Sequence, residues 1–207
     1  MADGAALAPA RGRPRDPLME ARVFDAAIAL YAEAGWAGFN FDAVARRAGV
    51  GKASLYRRWA GRGDLLRQTL EQRWYAVEGI DTGTLRGDLL ALARSIGRAL
   101  TGPHSGAQSW MRLDGALHPE VLDFLRPYSE AAVRQGRAIV RRAIARGEID
   151  SGVNPGLLMD LVVGGVTNHV GTTPPRLADT MISKMDAFTA SLVDTVLRGV
   201  RARALGS

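Results

Sequence analysis

The chain has 207 residues, 47% of them apolar and 23% charged, with a formal net charge of +6. That length supports one large or two small domains with a sizeable core, and the composition is ordinary for a globular protein. There is no Cys, which excludes disulfides, thiol catalysis and cysteine-based zinc sites and fits a reducing compartment.

No apolar run approaches the ~20 residues of a membrane span. The N-terminal segment has no apolar core of signal-peptide length. A cytoplasmic location and no membrane partner are the expectations. The basic balance favours a polyanionic partner. Composition bias offers a plainer account, because Lys52 and Lys184 are the only lysines among the 27 basic residues and Ala and Gly are abundant. The position of the cations therefore says more than their number.

Residues 1–15 are rich in Ala, Gly, Pro and Arg and read as a disordered basic arm. Arg11-Gly12-Arg13-Pro14-Arg15 has the core of an AT-hook, which lies in narrow A·T-rich minor grooves. Arg11 and Arg13 are its candidate contacts, and a solubilising tail is the alternative. Asp16 is placed to cap a first helix, with Pro17 at its first position. That helix runs to about Ala34. Val23, Ala27, Leu30 and Tyr31 form one stripe, with Phe24 and Ile28 beside it. Gly35 ends it. Asn40 caps a second helix, which stops at Gly49, a residue that takes positive φ at no steric cost. A third helix is expected from Lys52 to about Trp59, clamped to the body by Val50, Leu55 and Trp59. Asp64 lies in the first turn of a fourth, which carries Leu65, Leu66, Leu70, Trp74 and Val77.

From Arg46 to Arg62 there are six cations (Arg46, Arg47, Lys52, Arg57, Arg58, Arg62) and no acid. The second and third helices, with small Ala45 at their crossing and a glycine turn between them, have the form of a helix-turn-helix. The start of the second of this pair presents Lys52, Ala53 and Ser54, a small polar end that fits a major groove and reaches base edges there.

This stretch resembles the N-terminal pattern of the TetR family of transcriptional regulators. Ala45, Ala48-Gly49-Val50, Leu55-Tyr56, Trp59, Arg62 and Leu65-Leu66 stand in the family's order. Asn40 replaces the frequent Thr or Ser, and Arg62 the usual Lys. Beyond the first third of the chain, the match is one of length and helical texture. By analogy with the family, Tyr56, Arg57, Arg58 and Arg62 contact phosphates. Arg47 reaches a base or a phosphate, and Asn40 meets the DNA backbone through its cap. Two or three of the six cations are expected to be solvated spectators, Arg46 first, because its spacing turns it away from the third helix.

After a linker at Gly79–Gly83, helices are expected at about 84–101, 106–117, 119–147, 155–171 and 176–200. The breaks are Gly102-Pro103, Pro119, Gly147 to Asn154 and Thr172 to Pro175. There is no convincing strand. Pro127 predicts a kink or split near Arg126. Gly164 and Gly165 in mid-helix cost roughly 1 kcal/mol each against Ala, and close approach of another helix is the usual compensation. Leu161, Gly164, Gly165, Met181, Met185, Phe188, Leu192 and Val196 are the candidate dimer interface. The resemblance implies a four-helix bundle between two copies, whereas periodicity alone also allows ordinary core.

The resemblance implies an all-α fold. An arm (1–15) precedes a helix-turn-helix domain with its connecting helix (16–78), and a helical effector-binding and dimerisation domain follows (79–205). It also implies an effector cavity, with Trp110, Met111, Leu113, Asp114, His118, Leu122, Phe124, Leu125, Met159 and His169 as candidates and plain core as the alternative for each. Asp114 and His118 are spaced to pair across a helix turn. Arg112 and Arg126 lean the ligand towards an anion. The three histidines, His104, His118 and His169, are scattered, and no nucleophile–base–orienter set is visible. Asp114 with His118 and Glu120 could in principle hold one metal. No catalysis, cofactor or metal is expected. The expected function is a homodimeric repressor, released from a double-stranded operator by a small apolar or aromatic effector. An architectural DNA-binding protein and a small helical enzyme are the competing classes.

Overall fold

The computed structural model describes residues 18–73 and 79–201. The arm with Arg11 and Arg13, the Asp16 cap, Trp74 and Val77 lie outside the described residues. The remainder is all-α, with no strand among the described residues. The helices are α1 (Met19–Gly38), α2 (Phe41–Ala48), α3 (Lys52–Arg58), α4 (Arg62–Arg73), α5 (Leu85–Thr101), α6 (Ser105–Leu117), α7 (Pro119–Ala145), α8 (Pro155–Thr172), α9 (Ala178–Ser183) and α10 (Met185–Arg201). None of them is long and apolar enough to cross a membrane.

Two apolar clusters hold the chain together. The first gathers the α1 stripe with Val44, Leu55, Trp59, Leu65, Leu66 and Leu70, and it also takes Ala107 and Met111 from α6 and Val121 from α7. The second joins α5, α7, α8 and α10 through residues such as Leu89, Ile139, Val162 and Val193. The first cluster therefore crosses the linker, so the helix-turn-helix head is built in part from α6 and α7.

Three expectations change. The segment at 176–200 is not one helix. A 3₁₀ turn at Pro175–Leu177 leads into α9, and Lys184 interrupts before α10 with its N–H drawn to the Thr180 and Met181 carbonyls. Of the kink or split expected near Arg126, the split does not occur: α7 is one helix from Pro119 to Ala145, with Pro127 on its exposed side. Met185 and Val196 are buried within the chain's own second cluster, and a Cβ on Gly165 would lie 2.8 Å from the Leu192 side chain of the same chain. Those three positions serve packing inside one chain.

The head meets the rest at a tight seam between α1 and α6. A Cβ on Gly106 would stand 2.3 Å from the Ala32 carbonyl oxygen. Gly35 breaks α1 at φ 59° and ψ −165°, a conformation open to glycine, and the Trp110 ring lies where its side chain would be. The buried carboxylate of Asp114 accepts from the Tyr31 hydroxyl at 2.9 Å and from the Trp36 backbone N–H at 2.8 Å. Burial, then the bond to Asp114 and its charge, push the Tyr31 phenol far above its ordinary range. Tyr31→Phe keeps the ring and removes one bond to a buried charge. It should lower unfolding stability by about 2 kcal/mol, read as a lower urea midpoint with an unchanged slope. An unaltered midpoint would show that the bond contributes nothing.

Candidate nucleic-acid interface and cavity

The reading surface is set by local geometry. Asn40 caps α2 by accepting from the Ala43 N–H at 2.9 Å. Gly49 takes the left-handed φ 65° that turns the chain into α3. Leu55 and Trp59 are buried, Val50 packs on the core, and the Trp59 indole donates to Gln68 Oε1 at 3.1 Å. With one side of α3 so fixed, Lys52, Ala53, Tyr56, Arg57 and Arg58 are exposed and Ser54 is half-buried. Tyr56 rests edge-on against Phe41, ring centroids 4.8 Å apart, and stays 60% exposed, so its hydroxyl remains available.

Three of the cations are already paired with acids of the head. Arg47 makes a two-point contact with Glu33 at 2.6 and 2.7 Å. Lys52 Nζ is 2.6 Å from Asp42, and Arg58 pairs with Glu20. The bond from Arg47 holds the Glu33 carboxyl below its usual range, and the bond to Asp42 holds the Lys52 ammonium above its own. All three pairs are solvent-exposed, and such pairs exchange readily for other ions. Among the described residues, Arg57 donates only to Ser54 Oγ, at 3.3 Å. Arg46, the expected spectator, is exposed and holds no ion pair among the described residues.

Arg62, expected at a phosphate, is exposed and also serves the fold of the head. Its guanidinium donates to the Trp36 and Phe39 carbonyls at 3.0 and 3.1 Å and lies 3.9 Å over the Trp36 ring. It therefore closes the C-terminal end of α1, where carbonyls lack helical partners.

The largely apolar cavity between α5, α6, α7 and α8 has a volume of about 260 Å³. Leu92, Ile96, Ala99, Met159 and Val163 line it, with Ser95, His104, Gln108, Gln135 and Thr167 as polar contributors. Two wall residues, Ile28 of α1 and Arg73 of α4, come from the head. A second cavity of about 540 Å³ shares Gln108 and Ala132 with the first and is lined by Met111, Arg112, Leu122 and Leu125.

The expected ligand residues do not converge. Met159 faces the first cavity and Met111, Leu122 and Leu125 the second. His169, stacked on Phe188 at 3.7 Å, borders a surface hollow near α9, and Leu113 borders another between α6 and α8. Trp110, Asp114 and Phe124 belong to the head seam, Phe124 lying 5.8 Å from the Trp36 ring. Asp114 does not pair with the His118 side chain, and only its backbone oxygen accepts the His118 N–H. His118 lies 3.9 Å from Glu120, whose carboxylate accepts from the Trp36 indole. The two acids of the conceivable metal set are thus both bonded to Trp36. Arg126 is tied to Asp123. Sequence reasoning missed Ser95, His104, Gln108 and Gln135. The sole signal was the Gly102-Pro103-His104 break, which reads as punctuation.

A family model described as "Bacterial regulatory proteins, tetR family" matches residues 23–69, and one described as "Tetracyclin repressor-like, C-terminal domain" matches residues 80–196. The chain belongs to the TetR family of transcriptional regulators. It is similar to the HTH-type transcriptional regulator AqdR of Rhodococcus erythropolis, 34% identical over 170 residues that cover 80% of this chain and 82% of that one. It is also similar to the DNA-binding transcriptional repressor TetR of Mycobacteroides abscessus, 29% identical over 193 residues, 91% and 94% of the two chains. Among solved structures, FadR of Bacillus subtilis in complex with stearoyl-CoA superimposes with a TM-score of 0.71 at 19% identity, covering 87% of this chain and 99% of that one. Salmonella enterica GusR does so with 0.69 at 16%, covering 90% and 100%. At that identity the two structures establish the shared fold.

The regulator's cations can be separated by measurement. Arg57→Ala should weaken binding to any DNA, reduce the slope of log affinity against log salt by about one, and leave the melting curve in place. Arg62→Ala should lower stability by about 1–3 kcal/mol through the lost α1 closure. An Arg62→Ala protein with a native melting curve and a reduced salt slope would show a phosphate contact in place of a structural role.

Proposed function

We propose that this regulator is a homodimeric repressor whose head, residues 16–78, leaves its operator when a small, mostly apolar effector occupies the cavity of the domain at 79–205. The observation that carries the reading is the composition of the cavity wall. Ile28 and Arg73 of the head stand in it beside α6, and α6 is bolted to α1 through Asp114 and Gly106. A ligand there touches the reading head and the helix that positions it. The FadR complex shows that a protein of this fold binds a molecule with a long apolar part.

On DNA, Lys52, Ala53 and Ser54 meet base edges, and Tyr56, Arg57 and Arg58 meet phosphates. Lys52, Arg47 and Arg58 exchange Asp42, Glu33 and Glu20 for the nucleic acid. The effector favours a dimer whose heads no longer match the half-site spacing. A 100-fold release requires a difference in effector affinity between the two states of roughly 3 kcal/mol.

The dimer face is α8 with the neighbouring surface of α10. Leu157 and Leu161 are 59% and 48% exposed, and a Cβ on Gly164 would meet nothing within 4 Å. These three lie on one side of α8, and Phe188 and Leu192 are half-buried beside them. Leu161→Lys should therefore yield monomer in sedimentation where the parent is a dimer, with operator binding lost in parallel. Persistence of the dimer would place the interface elsewhere.

A mobility-shift titration against the regulator's own promoter region and against random DNA tests the whole reading. The expected result is a preference for the promoter that Lys52→Ala narrows, since base contacts carry discrimination. Equal affinity for both DNAs, with broad protection in a footprint, would favour an architectural protein instead.

A further inference from the structure

We propose that the effector is an elongated apolar acid, its carboxylate held by Arg112 and Gln108 in the second cavity and its tail laid through into the first; this rests on the reading of the first cavity as the effector site. The two cavities adjoin. Gln108 of α6 and Ala132 of α7 line both, so one pair of side chains borders the two volumes. Charge sets the sign of the ligand. Among the described residues, no Asp or Glu lines either cavity, and each wall holds one arginine, Arg73 in the first and Arg112 in the second. A cation there meets like charge and no acid.

Of the two arginines, Arg73 is already bonded to the Asp25 carboxylate at 2.7 Å and the Ala21 carbonyl at 3.3 Å. Arg112 is exposed and has no hydrogen bond or ion pair among the described residues. Gln108 stands one helical turn before it on the same face of α6, and its amide has no hydrogen bond among them either. A guanidinium fork beside an amide N–H suits the two oxygens of a carboxylate. Arg112 also borders the hollow between α6 and α8, so the carboxylate stays near solvent and escapes the cost of a buried charge. The tail follows the apolar wall past Ala132 to Leu92, Ile96, Met159 and Val163. A Cβ on Gly136 would lie 2.8 Å from the Met159 side chain, and this unbranched thioether yields to a chain that enters beside it. A dry cavity of about 150 Å³ accepts the six carbons of benzene, so one of about 260 Å³ takes a tail of roughly eight to ten. The tail then meets Ile28 of the head, and the carboxylate holds the middle of α6, the helix whose Gly106 and Asp114 grip α1.

The test titrates the full chain calorimetrically with octanoate, 1-octanol and octylammonium, and with the straight-chain acids from butanoate to dodecanoate. Octanoate should bind about tenfold tighter than 1-octanol, the yield of one charge-assisted contact, with octylammonium weakest. Along the acids, affinity should rise about fourfold per added methylene, from ~0.8 kcal/mol each, and level off near ten carbons. Arg112→Gln should bring octanoate down to the level of 1-octanol and leave 1-octanol unchanged. Ala132→Phe narrows the passage between the cavities, so octanoate should fall towards butanoate while butanoate holds. Both substitutions are at exposed positions. Should either variant still fold poorly, salt gives the same answer on the unaltered protein: octanoate weakens as salt rises and 1-octanol does not. Tightest binding of octylammonium, equal loss of octanoate and 1-octanol in Arg112→Gln, no gain with chain length, or unchanged octanoate in Ala132→Phe would overturn the proposal. A protein that binds none of these acids, yet leaves its operator when a neutral apolar compound fills the first cavity, keeps the effector reading and loses this one. A protein that ranks the probes as stated but stays on DNA keeps the ligand chemistry and loses the inducer mechanism.

Discussion

The architecture depends on a corner one residue wide. Gly35 reverses the backbone at the end of α1, and Trp36 directly after it is held on every side. Its N–H donates to the Asp114 carboxylate, its indole to Glu120, and its carbonyl accepts from Arg62, whose guanidinium also covers the ring. Asp114 and Glu120 belong to α6 and α7, and Arg62 opens α4. One residue of the head is therefore bonded to both neighbouring helices of the other domain and to the helix that follows the reading unit. A side chain at position 35 would need an unfavourable φ and would collide with Trp110. The corner requires glycine twice over, once for conformation and once for space.

The reading surface has the opposite character. Three of its cations, Arg47, Lys52 and Arg58, are exposed and carry acids of the same head, Glu33, Asp42 and Glu20. Exposed ion pairs contribute little to stability, so the proposed exchange for phosphates costs the fold little. They hold long side chains in place before binding and lower the field that unrelated DNA would meet. A surface of six bare cations would bind any duplex more strongly. If these cations meet DNA as proposed, the acids favour sites where base contacts compensate for giving the pairs up.

Most of the head is legible in the sequence because local rules agree there. The α1 stripe, the Asn40 cap, the Gly49 turn and the Leu55–Trp59 clamp are each short-range patterns, and each takes its expected place. Arg62 shows where such reading stops. Its position in the chain gives a cation near the recognition helix, but its partners are carbonyls more than twenty residues earlier. The cavity is illegible for the same reason. Its lining comes from α1, α4, α5, α6, α7 and α8, one or a few residues from each, so no window of sequence contains it. Aromatic and Met-rich segments look like ligand surface, yet Trp110, Met111 and Phe124 are recruited to the head seam, where large rings fill the space between two domains.

The helix that bears the proposed dimer face is also a wall of the cavity, and its sequence shows how one helix serves both. Met159, Val163 and Thr167 recur at four-residue spacing and line the cavity. Leu158, Val162 and Val166 follow the same spacing one position back and are buried in the second core. Leu157, Leu161 and Gly164 fall on the remaining side and stay open. Rows at i and i+4 drift slowly around a helix of 3.6 residues per turn, so three parallel rows divide its surface into three adjoining strips. With strips so close, a ligand that displaces Met159 or Val163 cannot leave Leu161 where it was, because α8 moves as a body through a densely packed core. On the far side of the cavity stand Ile28 and Arg73 of the head, which the same proposed displacement would reach. On the proposed reading, head spacing and dimer packing respond to one occupied volume, with no need for a chain of separate switches between them.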